Sequence, residues 1–118
     1  MFIREGALGK VNKHGKLQER WFILFNDVLL YTKAQLFKKT TYQYKGHIDL
    51  QNCAVTDRPD DDDYTNAFEL QRIDLKKKYV ICFNTPQEKA IWMKDVLKLV
   101  DDNLAKLKVI SNLQLYLI

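Results

Sequence analysis

Residues 6–31, GALGKVNKHGKLQERWFILFNDVLLY, decide the fold. Read with period 2, the first half alternates weakly and then turns at Asn12-Lys13-His14-Gly15. Gly15 can take positive φ without steric cost, as a tight hairpin loop requires. Residues 17–25 are rich in aromatic and β-branched side chains and read as a strand. Trp21, Ile23 and Phe25 fall on one face, and Arg20, Phe22 and Leu24 on the other. Asn26-Asp27 is a second turn signal, and residues 28–33 read as a third strand. Lys10, Lys13, Lys16 and Arg20 gather around the first hairpin mouth. Such a local positive field suits an anion carrying several charges.

Outward from this stretch, residues 34–40 read as a loop. Its Leu36-Phe37-Lys38-Lys39 suits a headgroup wedge, a contact with a neighbouring domain, or simply a surface loop. Residues 41–50 read as a strand in which Gly46 marks a bulge or bend. Short strands follow at 52–57, 66–72 and 78–84, separated by the acidic run 59–63 and a turn at 74–78. About seven short strands at close spacing indicate a sandwich or barrel. The period then changes. Thr85-Pro86-Gln87-Glu88 is a capping box with proline at the first helical position. Beyond it Trp92, Val96 and Leu99 recur at helical spacing, widened by Met93 and Val100, and Leu104 and Leu107 extend the pattern. The stripe needs a sheet to bury against. Residues 111–118 are apolar and have no readable role.

The 118 residues suit one domain. Charge is distributed unevenly. Residues 1–50 carry nine Lys/Arg against four Asp/Glu, residues 51–75 two against seven, and residues 76–118 eight against four. This polarity favours an oriented approach to an anionic surface. Met1-Phe2-Ile3-Arg4-Glu5 lacks the apolar stretch of a signal peptide, and no run reaches membrane-spanning length. Cys53 and Cys82 lie in strand-like segments without metal spacing and read as buried, reduced thiols. The expected compartment is the cytosol.

These features resemble a pleckstrin homology (PH) domain over residues 5–102: mainly β, with about seven antiparallel strands in two near-orthogonal sheets and one capping C-terminal helix. The resemblance rests on Glu5-Gly6 in strand one, Arg20-Trp21-Phe22-Ile23-Leu24-Phe25 in strand two, Leu29-Leu30-Tyr31 in strand three, and Trp92. Within that family the chain looks like the domain that follows the Dbl homology domain in Rho-family guanine nucleotide exchange factors. Phe2-Ile3-Arg4-Glu5-Gly6 looks like the junction between the two. Leu17-Gln18-Glu19-Arg20 and the stretch from Phe25 to Tyr31 look most like the faciogenital dysplasia type. Residues 1–4 are then a junction, and 103–118 a helix extension or tail.

The resemblance implies phosphoinositide binding at the open end. Lys10 and Arg20 match the family's phosphate-gripping lysine and arginine, and Tyr31 and Lys45 match two further contacts. The family pattern also has a basic residue two before the arginine. Here it is Gln18, one cation fewer. Lys13 and Lys16 would add diffuse attraction to anionic lipid. The implied partners are phosphoinositides, an anionic membrane surface, a Dbl homology domain and a Rho-family GTPase, with the chain a monomer. The alternative is a protein-interaction module that supports the exchange domain or its GTPase.

Other residues carry bland readings. His14 is an idle loop histidine, Lys76-Lys77-Lys78 a solvated turn, and Trp92 core. Asp60 to Asp63 lack the alternation and glycine of a calcium loop and read as a solvated loop. His14 and His47 have no nucleophile motif beside them, and there is no glycine-rich phosphate loop or metal-ligand spacing. Catalysis, a cofactor and a metal are therefore not expected. A nucleic-acid surface lacks a stacking motif.

Overall fold

The computed structural model describes residues 1–35 and 38–117, with side chains described for 1–33, 43–106, Val109 and Leu113. Seven strands precede one helix: β1 (Phe2–Val11), β2 (Leu17–Phe25), β3 (Val28–Gln35), β4 (Lys38–Asp49), β5 (Cys53–Arg58), β6 (Ala67–Arg72), β7 (Lys77–Cys82) and α1 (Pro86–Leu117). All neighbours are antiparallel, in the order β4-β3-β2-β1-β7-β6-β5. The strands form one hydrogen-bonded sheet, not two separate ones. Its halves meet along a short seam, with Gly9 opposite Cys82 and Lys10 opposite Ile81.

The expected alternation holds through β2. Phe22 and Leu24 are fully buried, while Trp21, Ile23 and Phe25 are half-buried on the other face. Leu29, Ile48, Leu50, Phe68, Leu70 and Ile81 complete the core under α1. The stripe on α1 docks as expected. Trp92 is 4% exposed, with its ring 6.1 Å from Phe83, and Val96, Leu99 and Val100 are buried behind it. The helix start is capped by Thr85 Oγ1, which accepts from the Glu88 amide at 3.1 Å. Glu88 reaches back one residue further than a capping box requires, accepting from the Asn84 amide at 3.3 Å.

Two expectations change and a third gains detail. Residues 34–40 do not form a loop throughout, because β3 runs to Gln35 and β4 starts at Lys38. Thr40, Thr41 and Tyr42 favour extended backbone, which lengthens the ribbon. The Leu36-Phe37 pair lies outside the described residues. Among the described residues the buried apolar stripe on α1 runs to Val100, and the Leu107 side chain lies outside them. Leu104 is 45% exposed, and Asn103 is buried in its place. The Asn103 amide satisfies itself there by donating to Leu99 O at 2.8 Å and Asn26 O at 3.1 Å. The acidic loop is exposed from Asp60 to Asp63, as expected, and is also ordered by local bonds. Asp61 Oδ1 accepts from the amides of Asp63 and Tyr64, and Asp60 Oδ1 from that of Asn66.

Gly46 is a bulge, as expected. Tyr31 stands opposite Gly46 but Thr32 opposite Tyr44, which leaves Lys45 as the extra residue. A Cβ on Gly46 would overlap the Tyr31 ring and hydroxyl, so glycine lets that ring lie across β4. Both cysteines are free and buried. Burial pushes the Cys53 thiol up to about 11, and its Sγ donates to Asp49 O at 3.0 Å.

Candidate functional site

The β1–β2 turn is held by its own backbone and by Asn12. Gly15 sits at φ +78° and donates to Asn12 O at 2.9 Å, while the Asn12 amide donates to Lys16 O at 2.9 Å. Asn12 Oδ1 accepts from the amides of His14 and Lys16, each at 2.9 Å. The tip is also tied from outside, because Tyr64 Oη donates to Gly15 O at 2.5 Å.

Strand alternation carries the core face out into the mouth. Leu8 and Lys10 share that face on β1 and pair with Arg20 and Gln18 on β2. Tyr31 pairs with Phe22 on β3, and Ile81 pairs with Lys10 on β7, with Tyr79 and Lys77 following at two-residue steps. Where the apolar residues end, a cleft of about 420 Å³ opens, lined among others by Lys10, Lys13, Tyr31, Lys77, Lys78 and Tyr79. A smaller hollow of about 260 Å³, beside Ala7, Gly9, Leu17 and Glu19, has no cation in its lining.

Lys10 is the most buried cation in the lining of the larger cleft. Its Nζ lies 4.9 Å from the centroid of the Tyr31 ring and 5.9 Å from that of Tyr79. Burial pushes the Lys10 ammonium below its ordinary pKa, and repulsion from Lys77 and Arg20 adds to the effect. Burial also raises the Tyr31 hydroxyl, so the ring stays neutral. No ion pair among the described residues involves Lys10, Lys13, Lys77 or Lys78. One partly buried ammonium between aromatic walls, with exposed ammoniums beside it and no carboxylate partner among the described residues, forms a site for a multiply charged anion.

Of the residues singled out from the sequence, the structure brings Lys10, Tyr31 and Lys13 together. Arg20 stands on the same face, but its guanidinium is folded back on its own strand. Nη1 donates to Glu19 O at 2.8 Å and Nη2 to Gln18 Oε1 at 3.1 Å. Lys16 is exposed on the hairpin and Lys45 on the bulge, and neither lines the cleft. Lys77, Lys78 and Tyr79 line it and were not anticipated. Their only local signal is period 2, since Lys77 and Tyr79 share a face with the buried Ile81.

The pleckstrin-homology family model, described as "PH domain", matches residues 2–101. This chain belongs to the PH domain family. Its relatives include human Rho guanine nucleotide exchange factor 4, 32% identical over 99 residues, which cover 78% of this chain and 14% of that protein. Mouse FERM, ARHGEF and pleckstrin domain-containing protein 2 is 34% identical over 95 residues, 80% of this chain and 9% of that one. The PH domain thus spans a small part of these relatives. Among solved structures, the C-terminal PH domain of pleckstrin in complex with D-myo-Ins(1,2,3,4,5)P5 superposes with a TM-score of 0.66 at 26% identity. The match covers 84% of this chain and 98% of that one.

Proposed function

We propose that this PH domain is a non-catalytic membrane-targeting module of a Rho-type exchange factor, holding phosphoinositide headgroups and anionic lipid at its β1–β2 mouth. The observation that carries this reading is Lys10, partly buried between Tyr31 and Tyr79 with no carboxylate partner among the described residues. The pleckstrin domain named above, in complex with an inositol pentakisphosphate, supports the choice of ligand. Lys10 and Tyr31 contact the headgroup directly, Arg20 and Lys45 flank it, and Lys13 and Lys16 supply the surrounding field. The parent protein is cytoplasmic and peripherally membrane-associated. Its further partners are a preceding Dbl homology domain and a Rho-family GTPase. Co-sedimentation with vesicles tests the reading. Phosphatidylserine vesicles with added phosphoinositide should retain more protein at equal surface charge than phosphatidylserine alone. Equal retention defeats it.

The second reading, a protein-interaction module supporting the exchange domain, is favoured by how firmly the start of the chain is tied down. Arg4 Nε donates to Asp95 Oδ2 on α1 at 2.9 Å, and the Asn26 amide donates to Met1 O at 3.1 Å. Such an anchored entry suits a domain held at a set angle to its neighbour.

A further inference from the structure

A headgroup on Lys10 can be gripped from either of two flanks, and the two differ. Across the ladder Lys10 faces Gln18 on β2 and Ile81 on β7. On the β2 flank the nearest side chain is neutral, and Arg20 is already engaged by Gln18 Oε1 and Glu19 O. Turning that guanidinium onto a phosphate breaks both bonds, which offsets part of the gain. On the β7 flank no side-chain hydrogen bond or ion pair of Lys77 among the described residues has to break. Lys77 Nζ lies 5.1 Å and Lys10 Nζ 5.9 Å from the centroid of one ring, that of Tyr79. The Tyr79 ring attracts both ammoniums but carries no net charge, so the repulsion between Lys10 and Lys77 persists until an anion offsets it.

We infer that Lys77 is a phosphate ligand of this domain, and that Lys10 and Lys77 grip one phosphate over the Tyr79 ring. The ligand is a phosphorylated inositol, either free or as a lipid headgroup. The inference rests on the phosphoinositide reading and moves its centre of grip from β2 to β7. Lys77 thereby supplies the cation that Gln18 does not.

Lys76→Ala is the matched control. It removes the same charge one residue away, in the β6–β7 turn, from a side chain that does not line the cleft. Each variant is first checked for an unchanged melting temperature. Binding is then measured to phosphatidylserine vesicles with and without phosphatidylinositol bisphosphate, and to soluble inositol phosphate by calorimetry. Lys77→Ala should weaken phosphoinositide binding about tenfold and Lys76→Ala about twofold or less. Lys10→Ala combined with Lys77→Ala should fall little below Lys10→Ala alone, because one phosphate loses both ligands. Parallel losses with soluble inositol phosphate and with vesicles support a grip on the headgroup itself. Losses seen on vesicles alone support a grip that needs the bilayer. Equal losses in the Lys76 and Lys77 variants, or full additivity of Lys10 and Lys77, overturn the grip while the parent still prefers phosphoinositide. A parent with no such preference removes the phosphoinositide reading and the grip together.

Discussion

The β1–β2 mouth and the β5–β6 loop lie side by side, joined by Tyr64 and Gly15, and they use charge in opposite ways. In the acidic loop and the end of β5 before it, charges have internal partners at Asp57 and Asp61. Asp61 Oδ2 pairs with Arg58 Nη2 at 2.9 Å, and Asp57 Oδ1 with Lys89 Nζ at 2.7 Å. Arg58 also lies 4.9 Å from the Tyr64 ring centroid. At the basic mouth Lys10, Lys13, Lys77 and Lys78 have no such partners among the described residues. The contrast teaches that charge density alone does not mark a site. Carboxylates bonded to local amides build a loop, whereas ammoniums without carboxylate partners, gathered around a partly buried Lys10, leave binding capacity for a ligand.

The largest break removes the frame that both regions share. Trp92→Ala should cost ~3–5 kcal/mol by emptying the helix–sheet contact against Phe83. Against a total of ~5–15 kcal/mol, much of the domain's stability goes with it. Denaturant unfolding checks this, and an unchanged midpoint would mean α1 is not docked through Trp92.

The next break separates a partly buried ammonium from an exposed one. Charged hydrogen bonds contribute ~1.5–3 kcal/mol, so Lys10→Ala should weaken phosphoinositide binding roughly ten- to a hundred-fold. Lys13, exposed at the rim, should contribute only ~1 kcal/mol of field, most of it screened by salt. A salt series on vesicles tells them apart. The Lys10 effect should survive high salt and the Lys13 effect should not.

The same pair of regions explains what could be read in advance. The β1–β2 hairpin, the limits of β2 and the helix cap rest on residues within four positions of one another, so local pattern revealed them. The β7 wall depends on Lys10 meeting Ile81, a pairing of neighbouring strands that lie far apart in the sequence. Lys76-Lys77-Lys78 therefore looked like an ordinary turn. The run from Asp60 to Asp63 is exposed, as its composition says, but its internal bonding was not legible for a related reason. Its role depends on which amides the backbone points at Asp60 and Asp61. Arg20 was placed on the correct face, yet its bond to Gln18 is a rotamer choice that alternation does not specify.

Acid should undo the built loop and spare the mouth. The Asp61 carboxyl is held below its ordinary pKa by the Tyr64 amide, then by Arg58 and the Asp63 amide. A depressed folded pKa contributes stability above the unfolded value of ~3.9, and that contribution is lost as pH falls through the folded value. Amide signals of Asp63 and Tyr64, followed by NMR, should stay put to about pH 4 and shift below it. In Asp61→Ala they should already be displaced at neutral pH, with no acid step. A parent whose loop signals move near pH 6 would mean that a different group holds the loop.

The smallest break cuts the link between the two regions. Tyr64→Phe removes only the hydroxyl that donates to Gly15 O and keeps the ring beside Arg58. One hydrogen bond is worth ~0.5–1.5 kcal/mol net, less where water can replace it, and Gly15 is exposed. Global stability should therefore shift by at most about 1 kcal/mol. The local effect should be clearer. Asn12 still holds the base of the turn through four bonds, so the hairpin should persist while amide exchange at its tip quickens. Because Lys10 and Lys77 stand on strands and not on the tip, phosphoinositide binding should change less than twofold. A large loss of binding in Tyr64→Phe, with the fold intact, would show that the mouth depends on the acidic loop for its shape. The two regions would then be one site rather than a scaffold beside a site.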